Sequence, residues 1–170
     1  MLVLTKNSEL SKYEKQHYNE DNRGVNEMVK MNAKAKLVKG FQIVLDDGHS
    51  HSVVVDLPPE LGTGLGPTSL EVCVMSHAGC YVTIAALTAK KMRLPLKDLT
   101  VDVEAVKTDE AGTITEETFN IEIKADAPED RIRRLHEVTV KNCPVDILLQ
   151  KAGVKIEYNV KIVTEGKCNE

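Results

Sequence analysis

Apolar and polar positions alternate with period two along three stretches of the chain. Leu99, Val101, Val103 and Ala105 alternate with Thr100, Asp102 and Glu104; Phe119, Ile121 and Ile123 alternate with Asn120, Glu122 and Lys124. Near the end, Ile156, Tyr158, Val160 and Ile162 alternate with Lys155, Glu157, Asn159 and Lys161. Each pattern predicts a strand with one packed face and one wet face. Earlier, Phe41, Ile43 and Leu45 alternate with Gln42 and Asp46, and the turn Asp46-Asp47-Gly48 leads to Val53-Val54-Val55, which predicts a hairpin. Residues 57–67 hold three prolines and three glycines and read as a loop.

Helical signals fill the remaining spans. Thr68 or Ser69 caps a long apolar run that reaches about Met92, where Lys90, Lys91 and Arg93 suit the negative end of a helix and Pro95 stops it. Asp126 precedes Ala127-Pro128-Glu129, which predicts a capped second helix with Ile132, Leu135 and Val138 as its apolar stripe. Pro144 opens a short third helix to about Ala152, with Gly153 placed to end it. The resulting order, β-β-β-α-β-β-α-α-β, predicts an α+β fold, since strands and helices rarely alternate singly. The apolar run from Val72 to Ala89 approaches the length of a transmembrane helix. It is diluted by Ser76, His77, Thr83 and Thr88, and amphipathic strands elsewhere need an apolar cover. A buried central helix is the preferred reading, with no membrane partner.

Residues 1–28 differ from the rest: they are polar and charged, and lack the alternation. Ser11-Lys12-Tyr13-Glu14 fits a capping box, predicting a short helix from about Ser11 to Glu20 in an N-terminal extension that ends near Asp21-Asn22-Arg23-Gly24. The main domain is expected over 29–164 and a short tail over 165–170. A length of 170 residues suits one domain with such an appendage, and 42% hydrophobic and 28% charged residues are ordinary for a globular protein. A net charge of −4 with both signs interspersed, 4% aromatics and no Trp disfavour a nucleic-acid partner. The opening Met1-Leu2-Val3-Leu4 is too short for a secretory signal, so a cytoplasmic, reducing setting is expected, where reactive disulfides outnumber structural ones.

Chemistry enters with the cysteines. Cys143 directly precedes Pro144, which fits the first helical position and makes Cys143 the N-cap; unsatisfied backbone N–H groups there favour a thiolate. Cys80 lies inside the apolar helix, in His77-Ala78-Gly79-Cys80, where burial raises a thiol pKa. His77, three positions earlier on the same face, could take or share its proton. Gly79 and Ala78 keep the neighbourhood small, so that another backbone or a ligand can approach. Each cysteine could equally be a small buried hydrophobe. Cys73, His77 and Cys80 form one helical stripe that could hold zinc, but the spacing matches no compact zinc motif, so no metal site is expected. His49 and His51 read as a solvated turn, His136 as a surface residue, and Arg131, Arg133 and Arg134 as a solvated face.

With these residues in view, the chain resembles the OsmC/Ohr family of osmotically inducible and organic hydroperoxide resistance proteins. The resemblance runs from about Lys30 to Val163. It rests on Gly66-Pro67-Thr68-Ser69-Leu70-Glu71 leading into His77-Ala78-Gly79-Cys80, on Asn142-Cys143-Pro144-Val145 with Leu148-Leu149, and on Val154-Lys155-Ile156-Glu157-Tyr158-Asn159-Val160. It implies antiparallel sheets wrapped around central helices, in an intertwined homodimer. It further implies that Cys80 attacks the O–O bond of an organic hydroperoxide, that Cys143 condenses with the sulfenic acid to a disulfide, and that a dithiol reductant resets the pair, with no cofactor, metal or flavin. Glu71 matches the family glutamate that pairs with an activating arginine. No arginine lies between Lys30 and Cys80, Arg23 being the only earlier one; Lys36 or Lys39 would have to substitute, and Ser69 stands where the family has proline. Helix-end electrostatics make Cys143 the more acidic thiol, whereas the resemblance assigns attack to Cys80; the second assignment is adopted, because a neighbouring subunit could supply further charge.

The expected function is therefore a thiol-dependent peroxidase using Cys80 and Cys143, with Glu71 and His77 in support. The alternative is a non-catalytic dimer of the same fold that binds a small apolar or electrophilic ligand. Cys73 and Cys168 are read as a core filler and a tail thiol.

Overall fold

The structure, a computed structural model, describes residues 29–163. The predicted helix at Ser11–Glu20, Arg23, the tail and Cys168 lie outside the described residues. Three strands come first: β1 (Lys34–Lys39), β2 (Gln42–Asp46) and β3 (Ser52–Val55), paired antiparallel in that order. Phe41, expected to begin a strand, instead belongs to the β1–β2 turn, because Gly40 adopts the left-handed conformation (φ 58°) that reverses the chain there. The Asp46-Asp47-Gly48 turn forms as expected, with the Asp46 carboxylate accepting the Gly48 N–H at 2.7 Å.

The loop over 57–67 is tied by one buried carboxylate. Asp56 accepts the N–H groups of Leu57 (2.8 Å) and Thr63 (3.1 Å) and the Thr63 hydroxyl. Gly66 passes so close to β3 that a Cβ there would lie 2.4 Å from the Val54 carbonyl oxygen. The loop delivers α1 (Ser69–Lys91), capped by Thr68 in a reciprocal capping box with Glu71. Arg93 then turns left-handed (φ 49°) and the chain leaves the helix.

β4 (Leu96–Lys107) and β5 (Ile114–Ala125) form a long antiparallel pair; α2 (Glu129–Asn142) and α3 (Pro144–Lys151) follow, and β6 (Lys155–Val163) closes the second sheet in the order β4-β5-β6. β6 runs parallel to β5, with Phe119 opposite Tyr158. This sheet is thus mixed, unlike the antiparallel expectation, because the two helices after β5 carry the chain back to that strand's starting end before β6 begins. α2 starts after Pro128, so Asp126 is not its cap; no side chain caps it.

The main core lies between this sheet and two helices. It joins Tyr81, Ala85 and Ala89 of α1 to Phe119, Ile121 and Ile123 of β5 and to Ile132 and Leu135 of α2. Cys73 packs against a smaller cluster of Ile114, Leu149 and Val154, as a core filler would. α1 is long and apolar enough to cross a membrane by length and composition alone. Its inner face, carrying His77, Tyr81, Ala85, Thr88 and Ala89, is buried, while Met75, Gly79 and Thr83 stay exposed, so within one chain the helix is covered on one side only.

Candidate functional site

The fold brings the two predicted thiols together across 63 residues of sequence: the Sγ atoms of Cys80 and Cys143 are 3.1 Å apart. A disulfide bond spans about 2.05 Å, so closing one takes a displacement on the order of 1 Å. Cys80 is half-buried and Cys143 wholly buried. α1 supplies the first thiol from its inner face. The α2–α3 junction supplies the second: Cys143 ends α2 and is the N-cap of α3, with Pro144 in the first helical position as expected. The opening amides of α3 point at both sulfurs, Val145 N–H at Cys80 and Asp146 N–H at Cys143.

A buried charge cluster backs the pair. His77 Nδ1 lies 2.6 Å from Glu117 Oε2, and its Nε2 lies 3.5 Å from Asp146 Oδ2, all three side chains being fully buried. Nε2 is near both the Asp146 carboxylate and the Cys143 thiol, in ideal hydrogen-bond geometry with neither, and Glu117 Oε1 also lacks a partner. Asp146 accepts the Tyr158 hydroxyl and the Gln150 amide, which fixes it beside the imidazole. Phe119 meets His77 edge-on at 4.5 Å.

Burial alone would push the His77 pKa down. The neighbouring Asp146, Cys143 and Glu117 overcome burial and raise it to about 11, which favours the charged ring. The same contest separates the thiols. Burial pushes the Cys80 thiol up, and the adjacent Cys143 adds to this; the Val145 N–H works the other way and does not prevail. Burial would also raise Cys143, but the bonds from His77, the Asp146 N–H and Cys80 hold its thiol below the ordinary value. The helix-end expectation that Cys143 is the more acidic thiol is matched here. Beyond the pair, the Tyr81 hydroxyl and His136 Nδ1 share a hydrogen bond of 2.8 Å, and burial pushes the His136 pKa down.

Two thiols thus meet at a helix N-terminus of an α+β fold, with a buried imidazole beside them. Residues 62–159 match the OsmC-like protein family, and the chain belongs to that family. Among curated proteins none matches. An OsmC-like protein from Mycoplasma pneumoniae has a similar structure, with TM-score 0.71 at 23% identity, covering 79% of this chain and 98% of that one. An OsmC-like protein of unknown function from Vibrio cholerae gives 0.64 at 12% identity, over 80% and 100%. The organic hydroperoxide resistance protein OhrB of Bacillus subtilis gives 0.55 at 14%, over 78% and 98%. At such identities the likeness establishes the fold.

Of the sequence-predicted residues, Cys80, Cys143 and His77 meet. His77, expected to take the Cys80 proton, instead spends its nitrogens on Glu117, Asp146 and Cys143, because the ring points at β5 and α3. Glu71 is not brought to the thiols: it caps α1, its carboxylate accepting the Thr68 N–H at 2.6 Å. His51 pairs with Asp47 in the exposed turn, as a solvated loop residue would. Two expectations are corrected. His136 is half-buried beneath Tyr81 and Tyr158, since its side of α2 faces the core, and Arg131 reaches the Met92 carbonyl at 2.6 Å, binding the free end of α1. Among the described residues no group of three or more His, Cys, Asp or Glu side chains is arranged to hold a metal ion.

Glu117 and Asp146 were missed by sequence reasoning. Glu117 had a signal: it occupies the same inward register as Phe119, Ile121 and Ile123, where an acid is out of place. Asp146 had none, since an acid in the first turn of a helix is ordinary.

Proposed function

We propose that this protein is a thiol-dependent peroxidase that reduces organic hydroperoxides through Cys80 and Cys143. The observation that carries the reading is the 3.1 Å approach of the two sulfurs, one half-buried and one sealed. Cys80, the less buried of the two residues, meets the hydroperoxide, and Cys143 resolves the sulfenic acid from behind. Membership of the OsmC-like family supports the reading, as does the fold shared with organic hydroperoxide resistance proteins. The two sulfurs carry both electrons, so the chemistry calls for no metal or flavin, and a dithiol completes the cycle by thiol–disulfide exchange in the cytoplasm.

The working unit is a homodimer. The open side of α1 around Met75 and Gly79, and the apolar side chains displayed by the first sheet at Leu37, Val38, Phe41, Val53 and Val54, favour a second copy as their cover. The test is anaerobic: reduced protein is mixed with cumene hydroperoxide, free thiols are counted, and tryptic peptides are mapped without reductant. Loss of two thiols with Cys80 and Cys143 peptides joined is the expected result; two unreactive thiols would overturn the reading. A non-catalytic dimer that binds an apolar or electrophilic ligand is favoured by one observation, the upward push on the Cys80 thiol. Its mark would be a copurified ligand in a native mass spectrum together with a peroxide-inert Cys80.

A further inference from the structure

Cys80, the less buried of the two, is the thiol that its surroundings push up, and the sealed Cys143 is the one held below its ordinary value. We propose that the buried Glu117–His77–Asp146 cluster places the resting negative charge of the pair on Cys143, and that Cys80 acquires it by passing its proton across the sulfur–sulfur contact. His77 is then a positioning residue that supplies the positive charge for which the chain has no arginine between Lys30 and Cys80. This rests on the thiol-pair reading above and assigns the proton within it.

Three observations carry the assignment. First, among the described residues the buried polar set is Asp56, His77, Thr88, Glu117, Thr139 and Asp146, so His77 is its one group able to hold positive charge. Second, every titratable neighbour around it is accounted for. Glu117 comes from β5, Asp146 from α3 and Cys143 from the α2–α3 junction. Tyr158 of β6 donates to Asp146 and so reaches the ring through that carboxylate. Tyr81 of α1 is hydrogen-bonded to His136 of α2, and burial disfavours the charged form of each. Third, His77 Nε2 is fully buried without an ideal partner, beside the Cys143 sulfur. A thiolate there faces the ring nitrogen on one side and the Asp146 N–H on the other, two donors for one sulfur.

The sequence of steps balances. Cys80–SH gives its proton to Cys143–S⁻, leaving Cys80–S⁻ and Cys143–SH. The Cys80 thiolate attacks the terminal oxygen of R–O–OH; the S–O bond forms, the O–O bond breaks, and the alkoxide leaves. Cys143–SH returns the proton to that alkoxide, giving R–OH, Cys80–SOH and Cys143–S⁻. The restored Cys143 thiolate attacks the Cys80 sulfur, forming the disulfide and expelling hydroxide, which solvent protonates to water. Sulfur is oxidised by the two electrons that reduce the peroxide. Cys143 serves in turn as base, acid and nucleophile, which a single buried thiolate 3.1 Å from its partner can do.

The test uses no peroxide, so it stands apart from failure of the peroxidase reading. In full-length protein with Cys73 and Cys168 changed to serine, thiolate absorbance at 240 nm is titrated in Cys80→Ser and Cys143→Ser variants. The Cys80→Ser protein, retaining Cys143, is expected to titrate below the free-thiol value of about 8.5 and the Cys143→Ser protein above it. Adding His77→Gln to the former should raise its midpoint by roughly one unit or more, a tenfold loss of thiolate. The reverse order of midpoints, or an unmoved one in His77→Gln, overturns the proposal. Because His77→Gln disturbs a buried pair, the unmodified protein gives a second reading: ¹⁵N shifts of His77 at pH 8 should be those of an imidazolium, and those of a neutral tautomer would overturn the assignment as well.

Discussion

Glu117 Oε2 lies 2.6 Å from His77 Nδ1, with both side chains excluded from solvent and both drawn from positions that otherwise carry core residues. An ion pair in such a place is weak evidence of added stability, yet breaking it leaves an uncompensated charge in the core, at a cost of about 3–5 kcal/mol. Glu117→Gln keeps the volume and a carbonyl acceptor, so its cost should fall near the lower bound. Urea unfolding at pH 7 checks this. An unchanged midpoint would mean that no ion pair is buried here.

The separation of the two thiols predicts how oxidation depends on pH. Attack by Cys80 requires one proton to leave the pair, and it leaves first from Cys143, whose thiol lies below its ordinary value. The rate of Cys80 sulfenic acid formation, followed by dimedone trapping, should therefore rise with pH through a midpoint below that of an ordinary thiol and then level off. In Cys143→Ser, Cys80 must ionise alone, where burial pushes it up to about 11 in the intact pair. That rate should still be climbing at pH 9 and be at least about tenfold slower at pH 7, since each unit is a factor of ten.

Much of this could be read in advance because its causes are local. Alternation fixed β4, β5 and β6; Thr68 and Ser69 ahead of the apolar run marked the start of α1; a proline after Cys143 marked the start of α3. What eluded the sequence depends on contacts distant along the chain. The direction of β6 depends on where α2 and α3 return the chain, and alternation is the same in parallel and antiparallel strands. His136 and Arg131 look like ordinary surface residues until Tyr81 and the end of α1 are set beside them. His77 was noted for its place beside Cys80, but its partners Glu117 and Asp146 lie 40 and 69 residues on, and only folding decides that the ring faces Cys143 as well.

Tyr158 donates its hydroxyl to Asp146 and thereby holds that carboxylate beside His77. Tyr158→Phe removes the donor and keeps the ring, which packs against Phe119 and His136. The buried carboxylate then loses one bond and keeps the Gln150 amide. A loss of about 1–3 kcal/mol follows from leaving a buried acceptor short of a partner. For a domain of this size that is a fall of roughly 2–10 °C in thermal midpoint, measurable by circular dichroism. A variant as stable as the parent would show that solvent replaces the hydroxyl and that this corner of the site is wet.

Gly79 offers a test of the dimer that leaves the single chain intact. A Cβ built there meets nothing within 4 Å, so within one copy the position is free space on an exposed helix face. Glycine inside a helix costs about 1 kcal/mol relative to alanine, and leucine is nearly as good a helix former. For an isolated chain, Gly79→Leu should thus raise stability slightly. If a second copy packs its backbone against this face, the same side chain fills the space that copy needs, and overpacking of this kind typically costs 1–3 kcal/mol at each occurrence. The two copies would suffer it together. Sedimentation velocity should accordingly show the parent as a dimer and Gly79→Leu displaced toward monomer, with helical content unchanged. A variant that stays dimeric and gains stability would place the partner on some other face.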